Sequence, residues 1–345
     1  MRERVLTIVA TAAALAMAPP SLAGPALHFD PTDRNVLYAE DLDNHWHPAS
    51  LTKIMTAYVT FVAIQEGTLT LETKIGCSKL ANSQGPTKVG LPVGSTITVE
   101  TALQALIMKS ANDVAVMLAE AVSGSHEAFV DYMNGMAGRL GMTRTKFANA
   151  NGLPDPVQVT TARDIAKLAA AVVRDFPQYA YMWSMREMRV GKLQLHTHNG
   201  LLTNYAGADG MKTGFICDSG FNVVASATRE GHKLIAVVLG EATGQERSVR
   251  AASLLEHGFQ TYRWKSLLGS QTLDTLPVDE NAKIAVTKAG RVISAVCGTG
   301  GRAVAKVKKG RAVAGAGAST GKVQHARSKG RGTAVAKKTS SAWPW

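Results

Sequence analysis

Cysteine is scarce in this 345-residue chain, and what there is follows no motif. Cys77, Cys217 and Cys297 make an odd number with no C-x-x-C pair, which excludes a cysteine-built mini-fold and a zinc ribbon. In an oxidising compartment two of the three can pair. The spacing does not choose which, and three unpaired thiols fit as well. Apolar runs are also short. Val5 to Met17 is one, and no later stretch approaches the length needed to cross a bilayer. Acidic residues are missing from the end of the chain: from Arg302 onward there are eleven Lys or Arg and no Asp or Glu. With a net charge of +12, the rest carries about 12 − 11 = +1, so the basic character belongs to the tail. That tail lacks the interleaved aromatics of a base-stacking surface, so nucleic acid is not an expected partner.

The chain has enough apolar residues, 46%, to bury a sizeable core. Its start reads as a processing signal. Arg2 and Arg4 precede the apolar run, and Ser21-Leu22-Ala23 offers small residues for cleavage after Ala23, so residues 1–23 are expected to be a signal peptide and the product to be exported. Two strands are expected at Ala26–Phe29 and Val36–Tyr38, flanking the turn-forming stretch Asp30 to Asn35. An amphipathic helix is expected from about Ser50 to Gly67. Residues 68–97 read as loops with short strands. Thr98 caps a helix that breaks at Ser110-Ala111-Asn112 and resumes at Val114. Thr161-Ala162-Arg163-Asp164 opens another helix. From about residue 205 the period becomes two, with a turn at Glu230-Gly231 and a last helix near Val249–Phe259. Strands at both ends with helices between them give an α/β (α+β) class: a mostly antiparallel sheet carrying an inserted helical lobe. Residues 266–300 read as a weakly structured extension. Residues 301–345, rich in Gly, Ala, Lys and Ser, read as a disordered tail whose expected partner is an anionic lipid or wall polymer.

Three short motifs stand in order: Ser50-Leu51-Thr52-Lys53, Ser110-Ala111-Asn112 and Lys212-Thr213-Gly214. A serine hydroxyl is a poor nucleophile until a base takes its proton. Three residues further along a helix, Lys53 lies on the face of Ser50, and it serves as base if burial and a neighbouring cation such as Lys212 lower its pKa. Ser110 and Asn112 at a helix break can point into a cleft. Gly214 lets a substrate approach the backbone, while Lys212 and Thr213 offer a charge and a hydroxyl to a carboxylate. Each motif alone is common: Ser319-Thr320-Gly321-Lys322 in the tail also satisfies S-x-x-K.

Together the three resemble the S-x-x-K, S-x-N, K-T-G set of penicillin-binding proteins and β-lactamases. The flanking stretches Pro48–Lys53, Phe147–Leu153, Thr161–Asp164, His198–Leu202, Gly210–Gly214 and Gly220–Ala227 resemble the low-molecular-mass serine D-Ala-D-Ala carboxypeptidases, peptidase family S11, over about residues 26–262. The resemblance implies a β-lactamase/transpeptidase-like fold, with a five-stranded antiparallel sheet, flanking helices and an all-α lobe, as a catalytic domain over 24–265. It implies that Ser50 is acylated by the stem peptide of peptidoglycan with Lys53 as base, and that Ser110 and Lys212 relay a proton to the leaving D-alanine. Asn112 would hold the substrate amide, and the backbone N–H groups of Ser50 and Phe215 the oxyanion. Thr213 and Arg247 would take the terminal carboxylate. β-Lactams would acylate the same serine, and no metal or organic cofactor is implied. The chain departs from the family where Ile216 replaces a usual Thr and His198 a relative's Arg. A β-lactamase is disfavoured because 147–165 contains no Glu for deacylation. A D,D-endopeptidase and a non-catalytic wall-binding protein remain as alternatives.

Overall fold

The computed structural model describes residues 24–267, 271–286 and 297. Nine strands and nine helices are found among them. The strands are β1 Ala26–Phe29, β2 Val36–Glu40, β3 Lys74–Gly76, β4 Thr96–Thr98, β5 Glu187–Val190, β6 Leu193–His196, β7 Ala208–Ile216, β8 Gly220–Arg229 and β9 His232–Glu241. The helices are α1 Thr52–Gln65, α2 Lys79–Ser83, α3 Val99–Gln104, α4 Asn112–Ser123, α5 His126–Arg139, α6 Ala162–Asp175, α7 Ala180–Trp183, α8 Leu201–Asn204 and α9 Gly244–Leu267.

The main sheet has the order β2-β1-β9-β8-β7, every pair antiparallel. Glu230 (φ 50°) and Gly231 (φ 81°) both take positive φ at the β8–β9 turn, the geometry that matches strand twist in a two-residue hairpin. Side-chain alternation divides the sheet's two faces. Val223, Ala225, Ala227, Leu234, Ala236 and Val238 pack on Ala251 and Leu255 of α9. Val224, Ile235, Val237 and Leu239 face the larger core built on α1, α4 and α6.

Helix α1 differs from the expected amphipathic helix. Ile54, Met55, Ala57, Val59 and Phe61 are fully buried and so is Lys53, so the helix is enclosed all round. It begins at Thr52, after a 3₁₀ turn over Ala49–Leu51, rather than at Ser50. The expected caps are in place: Thr98 Oγ1 accepts from Thr101 N–H and Thr161 Oγ1 from Asp164 N–H. Helix α9 extends beyond the expected range at both ends, opened by Thr243, whose hydroxyl accepts from Glu246 N–H. Among the described residues no helix is long and apolar enough to cross a membrane.

Two expectations for the cysteines and the C-terminal extension change. Cys217 and Cys297 form a disulfide, and Cys77 is a buried free thiol. Partners 80 residues apart leave no local signature, which is why spacing could not select them. Residues 271–286 contain no helix or strand, and they are docked as a strap. Leu273 is buried, Thr272 bridges Asn35, and Lys283 N–H donates to Asn44 Oδ1. Single anchors of this kind carry no periodicity. The basic tail, the signal segment and their proposed partners lie outside the described residues.

The strap is held by a buried ion pair. Arg163 donates from Nε and Nη2 to both oxygens of Asp43, and from Nη1 and Nη2 to the carbonyls of Leu273, Leu276 and Pro277. Burial alone would raise the Asp43 pKa, but the Arg163 hydrogen bonds hold it below the usual carboxylate range. Removing one partner of such a pair strands the other charge in the interior. Arg163→Ala is expected to lower unfolding free energy by about 3–5 kcal/mol, measured by urea denaturation. A loss under about 1 kcal/mol would mean the pair behaves as a surface bridge.

Candidate active site

The turn that carries Ser50 is held from several sides. Pro48-Ala49-Ser50 precedes α1, and Ala49 is itself left-handed at φ 48°. Asn222 on β8 donates from Nδ2 to the carbonyls of His47 (3.0 Å) and Pro48 (3.3 Å), while its Oδ1 accepts from Gly240 N–H. Gly214 on β7 lies directly against the turn: a Cβ there would sit 3.0 Å from Ser50 N and 3.2 Å from Leu51 N. The edge strand and the Ser50 turn are therefore in backbone contact, and any side chain at 214 would separate them.

Gly152 presses on the same turn from the 147–153 loop. Its φ is +83°, and a Cβ would meet Ala49 O at 2.0 Å and Ser50 N at 2.9 Å. Gly152→Ala combines backbone strain with a clash against backbone that cannot rotate away. The variant is expected to lose about 2–3 kcal/mol of stability and to be acylated by penicillin more than about 10-fold slower. Wild-type acylation by Gly152→Ala would show that this contact does not position Ser50.

Lys53 Nζ is fully enclosed and has three oxygen neighbours: Ser50 Oγ at 3.0 Å, Asn112 Oδ1 at 2.7 Å and the carbonyl of Asn151. A neutral amine has two N–H groups and one lone pair. Asn112 Oδ1 and Asn151 O can only accept, so they take both N–H groups and leave the lone pair to the Ser50 hydroxyl. The protonation state fits this reading. Burial pushes the Lys53 pKa well below its ordinary value, the charge of Lys212 lowers it further, and Asp113 opposes them. Asp113 is itself held by the N–H groups of Val89 and Gly90.

The middle motif reaches the site through a helix defect. After α3 the chain makes a π turn over Ala105–Lys109, and Ser110 closes it in the left-handed region (φ 63°, ψ 34°). Ser110 is 8% exposed, and among the described residues its hydroxyl has no hydrogen-bond partner. Asn112 then opens α4. Its amide is engaged at both ends, accepting from Lys53 and donating to Gly85 O (2.9 Å). Its Oδ1 thus lies on the Lys53 amine, and one N–H is left unengaged among the described residues.

Lys212 and Arg247 provide the positive wall. Lys212 is 2% exposed, donates to Thr213 O, and is brought to about 7 by burial and by Arg247. Arg247 reaches in from α9 with its guanidinium 5.8 Å from the Phe221 ring, and its Nε has no partner among the described residues. Burial lowers even its pKa, to about 10. Thr213 lines the same strand at 7% exposure, and Phe215 stacks on Phe221 at 4.3 Å. His198 keeps an exposed edge, but its buried side and the charges of Lys109, Lys212 and Arg247 push its pKa to about 4. It is therefore a neutral imidazole at neutral pH. Ile216 ends β7 with its N–H on Ser219 Oγ.

Two contributors escaped the sequence. Asn151 acts through its backbone carbonyl, which no residue type signals, and Asn222 acts from the next strand. The left-handed Gly beside Asn151 was the available clue.

Comparison with known proteins bears on this arrangement. Residues 12–243 match the family model for peptidase S11, D-alanyl-D-alanine carboxypeptidase. The chain belongs to that family. It is 35% identical over 232 residues to D-alanyl-D-alanine carboxypeptidase DacA of Haemophilus influenzae, covering 66% of this chain and 59% of that protein. It is 36% identical over 234 residues to DacC of Escherichia coli, covering 66% and 58%. The match thus spans under two thirds of these relatives. Penicillin-binding protein 5 of Haemophilus influenzae superposes with a TM-score of 0.67 at 34% identity, over 70% of this chain and 72% of that one. Penicillin-binding protein D2 of Listeria monocytogenes, solved in a cefotaxime-bound form, gives 0.64 at 28% identity over 69% and 97%. The fold is therefore that of the penicillin-binding proteins.

Proposed function

We propose that this protein is an exported serine D-alanyl-D-alanine carboxypeptidase that removes the terminal D-alanine from peptidoglycan stem peptides. The observation that carries the proposal is the Lys53 amine, 3.0 Å from Ser50 Oγ, desolvated and with both N–H groups directed to fixed acceptors.

The terminal carboxylate docks against Thr213 and the guanidinium of Arg247. Ser50 Oγ attacks the carbonyl of the penultimate D-alanine as Lys53 takes the hydroxyl proton. The N–H groups of Ser50 and Phe215 receive the developing oxyanion. A proton passes by way of Ser110 and Lys212 to the amine of the leaving D-alanine, and the scissile C–N bond breaks. Water, deprotonated by Lys53, then hydrolyses the ester and restores the serine. A β-lactam enters by the same attack, and with no Glu in 147–165 to assist deacylation its adduct is long-lived. The neutral His198 supplies no second cation, so the carboxylate relies on Arg247. The basic tail is assigned to an anionic lipid or wall polymer on its charge alone.

The test is D-alanine release from a diacyl-L-Lys-D-Ala-D-Ala peptide by the mature protein. Release supports a carboxypeptidase. Cleavage of a cross-linked dimer without release from the monomer points to an endopeptidase. Neither activity, with no penicillin labelling, points to a wall-binding protein.

A further inference from the structure

We propose that the Cys217–Cys297 disulfide positions the active site: by tethering the β7–β8 turn it holds Phe215 and Arg247 in register for acylation. The proposal rests on the carboxypeptidase reading, which gives those two residues their roles.

Strand β7 is the edge of the sheet, hydrogen-bonded to a neighbouring strand on one side only. The position of its end therefore depends on the turn that follows. Cys217 lies in that turn, two residues after Phe215 and four before Phe221. The two rings stack at 4.3 Å, the Arg247 guanidinium lies 5.8 Å from the Phe221 ring, and Gly244 at the start of α9 packs on the same ring. Turn, rings and arginine form one contiguous unit, so a shift of the turn moves both the oxyanion strand and the carboxylate anchor.

The inner side of the turn is held within the fold. Trp46 Nε1 donates to Ser219 O at 2.9 Å, and Ile216 N–H donates to Ser219 Oγ. Its outer side is open: Cys217 and Asp218 are exposed. The covalent hold on that side is the bond to Cys297. The strap N-terminal to Cys297 is in turn clamped by Arg163 and by Asn44. The disulfide thus ties the exposed flank of the edge strand to a residue that follows the clamped strap in the chain.

Exposure of Cys217 also makes the bond reachable by a small dithiol. The reductant's thiolate attacks one sulfur and its second thiol closes on the first. Two electrons and two protons pass to Cys217 and Cys297, giving two thiols and the oxidised, cyclic reductant. Cys77 is buried and unpaired and has no bond to break.

The test compares the second-order rate of acylation by fluorescent penicillin in oxidised protein, dithiol-treated protein and Cys217→Ser/Cys297→Ser. Assays run at a temperature where melting curves show all three fully folded. Reduction is expected to slow acylation about 10-fold or more, with the double variant at the reduced rate and indifferent to the dithiol. Equal rates in oxidised and reduced protein, with only the melting temperature changed, would overturn the positioning role. So would peptide mapping that finds the two thiols unlinked in oxidised protein. Absence of acylation in oxidised wild type would instead overturn the carboxypeptidase reading itself.

Discussion

A Ser50→Ala protein is expected to fold normally yet release no D-alanine and take up no penicillin, a loss of about 10,000-fold or more. The side chain it removes has one hydrogen-bond partner among the described residues, Lys53 Nζ. Lys53 keeps its bonds to Asn112 and Asn151, so no buried donor is stranded. Alanine also suits the 3₁₀ turn that leads into α1. Thermal melting should therefore stay within about 1 kcal/mol of wild type, which separates lost chemistry from lost structure. Residual acylation within 10-fold of wild type would remove Ser50 from the reaction.

Replacing the base is the second large effect. Lys53→Met keeps most of the buried volume and removes the amine, and acylation is expected to fall by about 100- to 10,000-fold. The variant loses three hydrogen bonds and leaves Asn112 Oδ1 and Asn151 O without donors, so some stability goes with it. The pH profile distinguishes the base from a merely structural lysine. In the proposed mechanism Lys53 works as a free amine, so acylation is expected to fall as pH drops and the amine takes up a proton. Burial lowers its pKa first and the charge of Lys212 next. Lys212→Met removes that charge, so the acid limb of the profile should move to higher pH, with overall rate also reduced. A limb that stays in place, or moves to lower pH, would contradict the assigned coupling. Because the free amine is the form the fold favours, Lys212 makes stability rise with pH between about 7 and its ordinary pKa of 10.5, and Lys53 acts in the same direction below 10.5.

Much of the sheet was legible because successive strand residues point to opposite faces, which gives a period of two, and because Glu230-Gly231 is a turn on chemistry alone. The helix starts at Thr98 and Thr161 followed from hydroxyl capping in the same way. The pairing of Ser50 with Lys53 came from helical spacing, although the serine lies in the 3₁₀ turn ahead of the helix. What spacing could not reveal was depth. Burial beside Lys212 was the condition read for Lys53 to act as base, but its extent was not legible: both lysines are almost wholly enclosed, and enclosure is the first cause of their lowered pKa values. The Asn151 carbonyl was invisible because it belongs to the backbone. Asn112 was read as a substrate ligand, and its amide is largely engaged with the base and with Gly85. The strap over 271–286 was missed since Leu273 and the carbonyls facing Arg163 make isolated contacts, which leave no periodic trace. The disulfide joins two positions remote in sequence, and only the fold brings them together.

The central claim is that Ser50, activated by Lys53, becomes the acyl carrier. Mass spectrometry of penicillin-treated protein after proteolysis tests it directly. The account predicts a single adduct on the peptide containing Ser50, formed rapidly in wild type and at least about 100-fold more slowly in Lys53→Met. An adduct on Ser110 or another residue, or one on Ser50 that forms equally fast without Lys53, would contradict it.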